Sequence, residues 1–174
     1  MIAYEFGTPI TKTITAKNTR WAWSTPDSIL LNETLCLHRL RDQQGFPQII
    51  STHWQNHTID MTYVGRTLHW YWKRGLRPTV YNPREQLERL FGTLESLKIA
   101  HLDMHPNGKN CCLHEGELYI IDFGVAVRDG TPTSERLNTL YNTHVQNGAY
   151  EHLTHIMLSQ IYANCNVKHN STLL

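Results

Sequence analysis

The chain has 174 residues, a formal net charge of +1 and 40% hydrophobic residues. It is long enough to bury a real core, and no linker-rich tract divides it, so we expect one compact unit. The balanced charge argues against a nucleic-acid partner. The absence of a long apolar run or leader pattern argues against a membrane span and favours a cytoplasmic protein. No C-x-x-C spacing links the cysteines, which we expect to be reduced thiols: Cys36, Cys111, Cys112 and Cys165.

The first elements in chain order are a strand and a helix. Residues 10–17 alternate β-branched and polar side chains, which predicts a strand that ends at Lys17. Capping residues and a proline then predict a helix from about Pro26 to Arg39. On this helix Glu33 shares a stripe with apolar residues. A carboxylate among apolar neighbours needs a cation, and Lys17 is the nearest candidate along the chain.

Further strands and helices follow. Strands are expected at 47–51 and 58–64, because both segments are rich in β-branched residues. A cap and a proline at 82–83 begin a helix whose leucines repeat at helical intervals as far as Lys98. Two more helices are expected at about 133–145 and 149–163.

The most informative segment runs from His101 to Gly124. It places Asp103 in a polar loop, Asn110 shortly after it, and an Asp-Phe-Gly triplet that begins at Asp122. Phosphoryl transfer needs these groups: one carboxylate orients a hydroxyl, and an amide with a second carboxylate holds magnesium on a triphosphate. The segment resembles the H-x-D-x-x-x-x-N and D-F-G motifs of the protein kinase-like superfamily. It is similar in particular to small atypical members, namely the Bud32, RIO-like, lipopolysaccharide and aminoglycoside kinases.

The resemblance covers roughly residues 10–127 and implies an α+β, reduced two-lobed kinase-like fold. Residues 1–64 would form an amino-terminal lobe, a small antiparallel sheet with one helix. Residues 65–174 would form a truncated, mainly helical second lobe within the same compact domain. The catalytic loop would be 101–110, and ATP and Mg²⁺ would bind between the lobes.

The resemblance also implies roles for individual residues. Lys17 would bind the nucleotide phosphates, Glu33 would orient Lys17, and Asp103 would position the acceptor. Adenine would contact an extended hinge and two residues of the following hairpin: Met61, Thr62, Tyr63, Val64, Cys112 and Ile121. An ordinary core strand also fits the alternation of the hinge segment. His101 would be structural.

The metal ligands are less simply assigned. Asp122 follows an apolar strand, where a carboxylate suits a hard cation. The family spacing for the asparagine falls on Gly108, which has no side chain. A two-residue insertion makes Asn110 the preferred ligand, with Asn107 as the alternative.

The function predicted from these motifs is ATP- and magnesium-dependent transfer of the γ-phosphoryl group to a hydroxyl, with protein serine or threonine slightly favoured. A small-molecule or lipopolysaccharide kinase is an alternative, because the sequence around His105 is similar to the aminoglycoside group. A catalytically weak pseudokinase is another, because no glycine-rich loop precedes Lys17. A metal-dependent hydrolase would use the alternating His101, Asp103 and His105 as ligands.

Overall fold

The computed structural model of the chain describes residues 4–15, 25–128, 142 and 148–169. Its helices are α1 (Pro26–Arg39), α2 (Leu68–Trp72), α3 (Pro83–Ser96) and α4 (Ala149–Asn164). Its strands are β1 (Pro9–Thr13), β2 (Ile49–His53), β3 (Thr58–Thr62), β4 (Arg66–Thr67), β5 (Thr79–Tyr81), β6 (Ile99–Ala100), β7 (Cys111–His114), β8 (Glu117–Ile120), β9 (Val127–Arg128) and β10 (Asn166–Lys168). The predicted fold class is confirmed: the chain is mixed α+β with small sheets and few helices, consistent with a reduced kinase-like fold.

The first sheet has the strand order β1-β3-β2, and both pairings are antiparallel. Alternate residues of β1 face opposite sides of the sheet. Ile10 and Lys12 are half-buried and the following Ile14 is buried, whereas Thr11 and Thr13 are exposed. The strand therefore turns one apolar face, which carries a single lysine, toward the interior.

Helix α1 has the predicted boundaries because local signals define them. Thr25 and Ser28 form a reciprocal capping box, and Pro26 occupies the first helical turn. The predicted stripe faces the interior and is buried along its whole length: Ile29, Glu33, Cys36, Leu37 and Leu40. Glu33 is therefore a buried carboxylate, which requires compensation by a cation.

The remaining sheets are built from residues 66–168. Strands β4, β7 and β8 form an antiparallel sheet, β6 pairs with β9, and β10 runs parallel to β5. Helix α3 ends at Ser96, two residues before the predicted end, since Lys98 has a positive φ of 55°. Helix α4 has the predicted position, whereas the helix expected at 133–145 lies outside the described residues except for residue 142.

Helices α3 and α4 pack against each other next to the segment 101–110. The rings of Phe91 and Tyr150 are stacked with centroids 5.1 Å apart. The Tyr150 hydroxyl also donates to the carbonyl of Ile99 and accepts from the N–H of His101. These contacts join the two helices to the start of the loop that follows β6. No helix in the described ranges is long and apolar enough to span a bilayer.

Candidate active site

A lysine, a glutamate and an aspartate from distant parts of the chain meet in one cluster. Lys12 Nζ on β1 lies 2.8 and 2.6 Å from the two carboxylate oxygens of Glu33 on α1. The same Nζ lies 2.8 Å from Oδ1 of Asp122, which lies two residues after the end of β8. Charge-assisted bonds of this length are the strong ones in proteins. The cluster therefore ties the first sheet, α1 and the Asp-Phe-Gly triplet together.

Burial sets the electrostatics of this cluster. The Glu33 side chain is 1% exposed, that of Lys12 is 24% exposed and that of Asp122 is 42% exposed. Burial raises the pKa of Glu33 against the opposing effect of the Lys12 charge. Burial acts to lower the pKa of Lys12, but the carboxylates of Glu33 and Asp122 outweigh it and the pKa is raised. For Asp122, burial is likewise outweighed by Lys12, and its pKa is lowered. Lys12 and Asp122 are therefore both charged at neutral pH.

The lysine beside Glu33 is Lys12, which the sequence analysis missed. Lys17, to which that role was given, lies outside the described residues. The predicted strand had a signal that distinguishes the two: with a period of two, Lys12 shares the face of Ile10 and Ile14, and Lys17 belongs to the other face. The lysine on the apolar face is the one that can reach a buried glutamate.

Asp103 and Asn110 contact each other within the segment 101–110, which was predicted to be the catalytic loop. The Asn110 Nδ2 donates to the Asp103 carbonyl at 2.7 Å and to Asp103 Oδ2 at 2.9 Å. Asn107 makes a different contact, since its Oδ1 accepts from the N–H of Lys109 within a turn. The geometry thus pairs Asp103 with the preferred asparagine and leaves Asn107 in a local turn.

Gly108 explains why the loop departs from the family spacing. Its φ is +71°, and a Cβ there would lie 2.7 Å from Leu68 and 2.8 Å from Trp72 of α2. Its carbonyl also accepts a hydrogen bond from the N–H of His69. Position 108 is therefore the point at which the loop rests on α2, and a ligand side chain has no room there.

His101 is a structural residue, as the resemblance implies. Its ring is fully buried, with Nε2 2.8 Å from the carbonyl of Ile121 and Nδ1 3.3 Å from the N–H of Asp103. Burial lowers the pKa of His101, so the imidazole is neutral. Because both ring nitrogens are engaged with the backbone, His101 has no nitrogen free for a metal. The hydrolase alternative loses one of its three ligands.

The predicted hinge residues are the last two residues of β3, Met61 and Thr62, and the next two residues of the chain, Tyr63 and Val64. Met61 is buried in β3, and both backbone polar groups of Tyr63 bond to the amino-terminal residues Gly7 and Thr8. Val64 is buried, and its N–H and C=O form no hydrogen bond within the described ranges. Buried backbone groups are nearly always paired. Val64 thus offers a donor and an acceptor to a ligand.

Cys112 lies in β7, and Ile121 directly follows β8. Cys112 is 3% exposed and lies on the face of β7 opposite to the core residues Cys111 and Leu113. Burial raises the pKa of the Cys112 thiol to about 12, so it is a neutral, apolar side chain. The N–H of Ile121 donates to the carbonyl of Asn110. All cysteines of the chain lie in the described part and are free thiols, as expected.

The oxygen donors suit a hard cation. The Asn110 amide uses its nitrogen on Asp103, and its Oδ1 forms no hydrogen bond within the described ranges, whereas the Asp122 carboxylate contacts Lys12 through Oδ1 and also accepts from the backbone N–H of Gly124. Carboxylate and amide oxygens are ligands that Mg²⁺ accepts. Among the described residues no group of three or more His, Cys, Asp or Glu side chains could hold a metal alone. Asn110 and Asp122 by themselves do not complete the coordination of a metal ion.

No protein-family model and no curated protein matches the sequence. Among solved structures, the chain is similar to the Cydia pomonella granulovirus kinase PK-1, with 19% identity and a TM-score of 0.46. The similar part is 59% of this chain and 43% of that kinase, so the chain spans less than half of its length.

Proposed function

We propose that this chain is a phosphotransferase that uses ATP and magnesium and moves the γ-phosphoryl group to a hydroxyl acceptor. The observation that carries the proposal is the contact of Lys12 Nζ with both Glu33 and Asp122. A cation held beside a metal-binding carboxylate is what a bound triphosphate requires. Compensation of the buried Glu33 needs only one contact, whereas the Asp122 side chain is 42% exposed and does not need Lys12 to offset burial.

Each residue of the cluster has a proposed task. Lys12 binds phosphate oxygens in the role that the sequence analysis gave to Lys17, and Glu33 holds Lys12 in place. Asp122 and Asn110 hold magnesium, which neutralises phosphate charge when bound. The unpaired N–H and C=O of Val64 bind the adenine edge, and Met61, Thr62, Tyr63, Cys112 and Ile121 surround the base.

The proposed transfer balances without a further reactant. The acceptor oxygen forms a bond to the γ-phosphorus while the bond from that phosphorus to the β–γ bridging oxygen breaks, and ADP leaves. The hydroxyl proton passes to the carboxylate of Asp103. Asn110 bonds to Asp103 Oδ2 and leaves Oδ1 for the acceptor. Positioning and charge neutralisation supply most of the acceleration in such reactions.

A protein hydroxyl is the favoured acceptor. In the described part, β9, α4 and β10 follow the Asp-Phe-Gly triplet, and α4 packs chiefly on α3 and β10 rather than on the Lys12 cluster. An open face can still accept a serine or threonine of another protein. The small-molecule alternative is tested in the same assay by the size of the labelled product.

The test is incubation with γ-labelled ATP and Mg²⁺, alone and with a cell lysate. We expect label on macromolecular material with the wild type and at least about 100-fold less with Asp103→Asn, since that variant cannot accept the proton. Asp42→Asn, an exposed loop variant, is the matched control. Label in small molecules would assign a small-molecule kinase.

Nucleotide binding without transfer would assign a pseudokinase. Equal labelling by the wild type and Asp103→Asn would remove Asp103 from the mechanism. Absence of magnesium-dependent nucleotide binding, measured by calorimetry, would overturn the proposal as a whole.

A further inference from the structure

A groove of about 650 Å³ lies beside the segment that joins β3 to β4. Four parts of the chain wall it: the amino-terminal residues, the joining segment, α2 and the turn between β7 and β8. Its volume falls within the range of protein binding sites. We call it the aromatic groove, after the aromatic residues among the six large side chains that form half of its lining: Tyr4, Phe6, Tyr63, Trp70, Tyr71 and Leu76.

Exposed apolar side chains gather at this groove. Tyr4 is 53% exposed, Phe6 is 42% exposed and Leu76 is 46% exposed. Two of these rings are held in place, since Phe6 stacks on His114 at 4.1 Å and Tyr4 lies 5.5 Å from Tyr63. Contiguous exposed apolar surface marks interaction sites in soluble proteins. A prearranged wall also reduces the entropy lost when a partner binds.

Positively and negatively charged side chains lie at different parts of the groove wall. At α2, the guanidinium carbons of Arg66 and Arg74 lie 4.5 and 4.3 Å from the centre of the Trp70 ring. Neither arginine has a carboxylate within ion-pair distance in the part of the chain that the structure describes. Two cations beside the Trp70 ring are therefore available to an anionic partner.

The other parts of the wall carry carboxylates. Glu5 lies on the amino-terminal segment, and Glu115 lies at the turn between β7 and β8. A nucleic-acid strand has a charge on every residue, so these carboxylates would repel its backbone. A peptide can place acidic side chains at α2 and neutral ones elsewhere. Tyr, Trp and Arg are also the residues that dominate the energetics of protein interfaces.

We propose that the aromatic groove docks an extended, acidic peptide segment of a partner protein. Large apolar side chains of the peptide pack on the aromatic wall, and its carboxylates bind Arg66 and Arg74. The groove adjoins the hinge through Tyr63 but contains none of the residues of the Lys12 cluster. Peptide binding thus does not require the Lys12 cluster and can be measured without nucleotide.

The test is selection of a displayed library of random twelve-residue peptides on the whole chain. We expect the enriched peptides to combine aspartate or glutamate with large apolar residues. A labelled synthetic peptide of the consensus should bind Leu76→Glu at least tenfold more weakly than the wild type. The double variant Arg66→Glu/Arg74→Glu should bind the consensus peptide at least tenfold more weakly as well. It should gain affinity for the same peptide with lysine in place of each acidic residue.

Matched controls come from other surfaces. Leu31→Glu changes a side chain on α1 that is 44% exposed, and Arg84→Glu changes an exposed arginine of α3. Both should keep wild-type affinity for the peptide. Thermal melts confirm that every variant is folded.

The other outcomes overturn the proposal. Enrichment of basic peptides, no enrichment, or equal binding to Leu76→Glu would each contradict it. Tighter binding of a single-stranded oligonucleotide, lost in Arg66→Glu/Arg74→Glu, would assign the groove to nucleic acid. A dimer in sedimentation that Leu76→Glu dissociates would assign it to a second copy of this chain.

Discussion

At the scale of single residues, the site depends on how buried charges are compensated. Glu33 is held among apolar side chains of α1, and Lys12 contacts both of its oxygens. Removal of one partner from a buried ion pair leaves an uncompensated charge and costs about 3–5 kcal/mol. The same lysine is the proposed phosphate ligand, so stability and function depend on one side chain.

A first prediction compares the two lysines. Lys12→Met should lower transfer of label from ATP by about 100-fold or more, because the phosphates lose a charged partner that is fixed in place. Lys17→Met is measured beside it in the same assay. Loss confined to Lys12→Met supports the geometry, and loss confined to Lys17→Met would restore the assignment that was made from the sequence.

A second prediction concerns His101 and pH. Burial lowers the pKa of His101 in the folded chain below its ordinary value of 6.5. The unfolded chain therefore binds a proton that the folded chain does not, and stability falls with decreasing pH. The contribution of neutral His101 to the free energy of unfolding is fully present above about pH 6.5. It is lost as the pH falls toward the lowered pKa of the folded chain, with a slope of at most ~1.4 kcal/mol per pH unit.

Urea unfolding between pH 7.5 and 5 measures this effect. His101→Gln should flatten the dependence, since glutamine does not titrate. His38→Gln, at an exposed position of α1, is the control and should keep the slope. An unchanged slope in His101→Gln would show that other groups cause the acid destabilisation.

At the scale of elements, the joining segment is held against the hairpin at one glycine. Gly65 has a φ of +99°, and a Cβ there would lie 2.3 Å from the carbonyl oxygen of Leu113. Gly75, after α2, also has a positive φ, but a Cβ there would meet nothing within 4 Å. The two glycines have the same kind of backbone conformation and differ in the space around them.

A third prediction uses this pair. Gly75→Ala should cost about 1–2 kcal/mol, the ordinary penalty of a left-handed alanine. Gly65→Ala should cost at least about 2 kcal/mol more, because the segment must also move off the backbone of β7. Denaturant unfolding of both variants gives the difference. Equal losses would mean that the joining segment moves freely relative to the hairpin.

At the scale of the whole molecule, one hydrophobic cluster contains residues from both sides of the predicted boundary at residues 64 and 65. It contains Ile29 and Leu37 of α1, Leu90 of α3 and Leu158 of α4. Phe123 of the Asp-Phe-Gly triplet belongs to it, with its ring 4.8 Å from His101 and 6.1 Å from Phe46. Packing therefore continues from the first sheet to α4 through the candidate active site.

A fourth prediction follows from this shared core. The chain should unfold in a single transition, because neither part keeps a complete core alone. Tryptophan fluorescence reports on Trp54, Trp70 and Trp72 among others, and far-ultraviolet circular dichroism reports on all helices. The two midpoints in urea should coincide. Separated midpoints would show two independently stable units.

The sequence by itself determined what local chemistry controls. The bounds of α1 follow from its cap and proline, and the order of Asp103, Asn110 and Asp122 follows from the motifs. The burial of Glu33 follows from its place on an apolar stripe. The mixed α+β class was implied by the resemblance of the motifs, and periodicity located individual elements, whereas strand ends differed by a few residues because pairing partners set them.

Tertiary structure decided which groups meet. Lys12 and Asp122 are 110 residues apart, and only the pairing of β1 with β3 brings the lysine over the end of the hairpin. Within the described residues, Oδ1 of Asn110 and the backbone N–H and C=O of Val64 form no hydrogen bond, which depends on contacts made elsewhere in the fold. The aromatic groove is assembled from four segments. Long-range contacts of this kind depend on the packing of the entire core, which no short stretch of sequence contains.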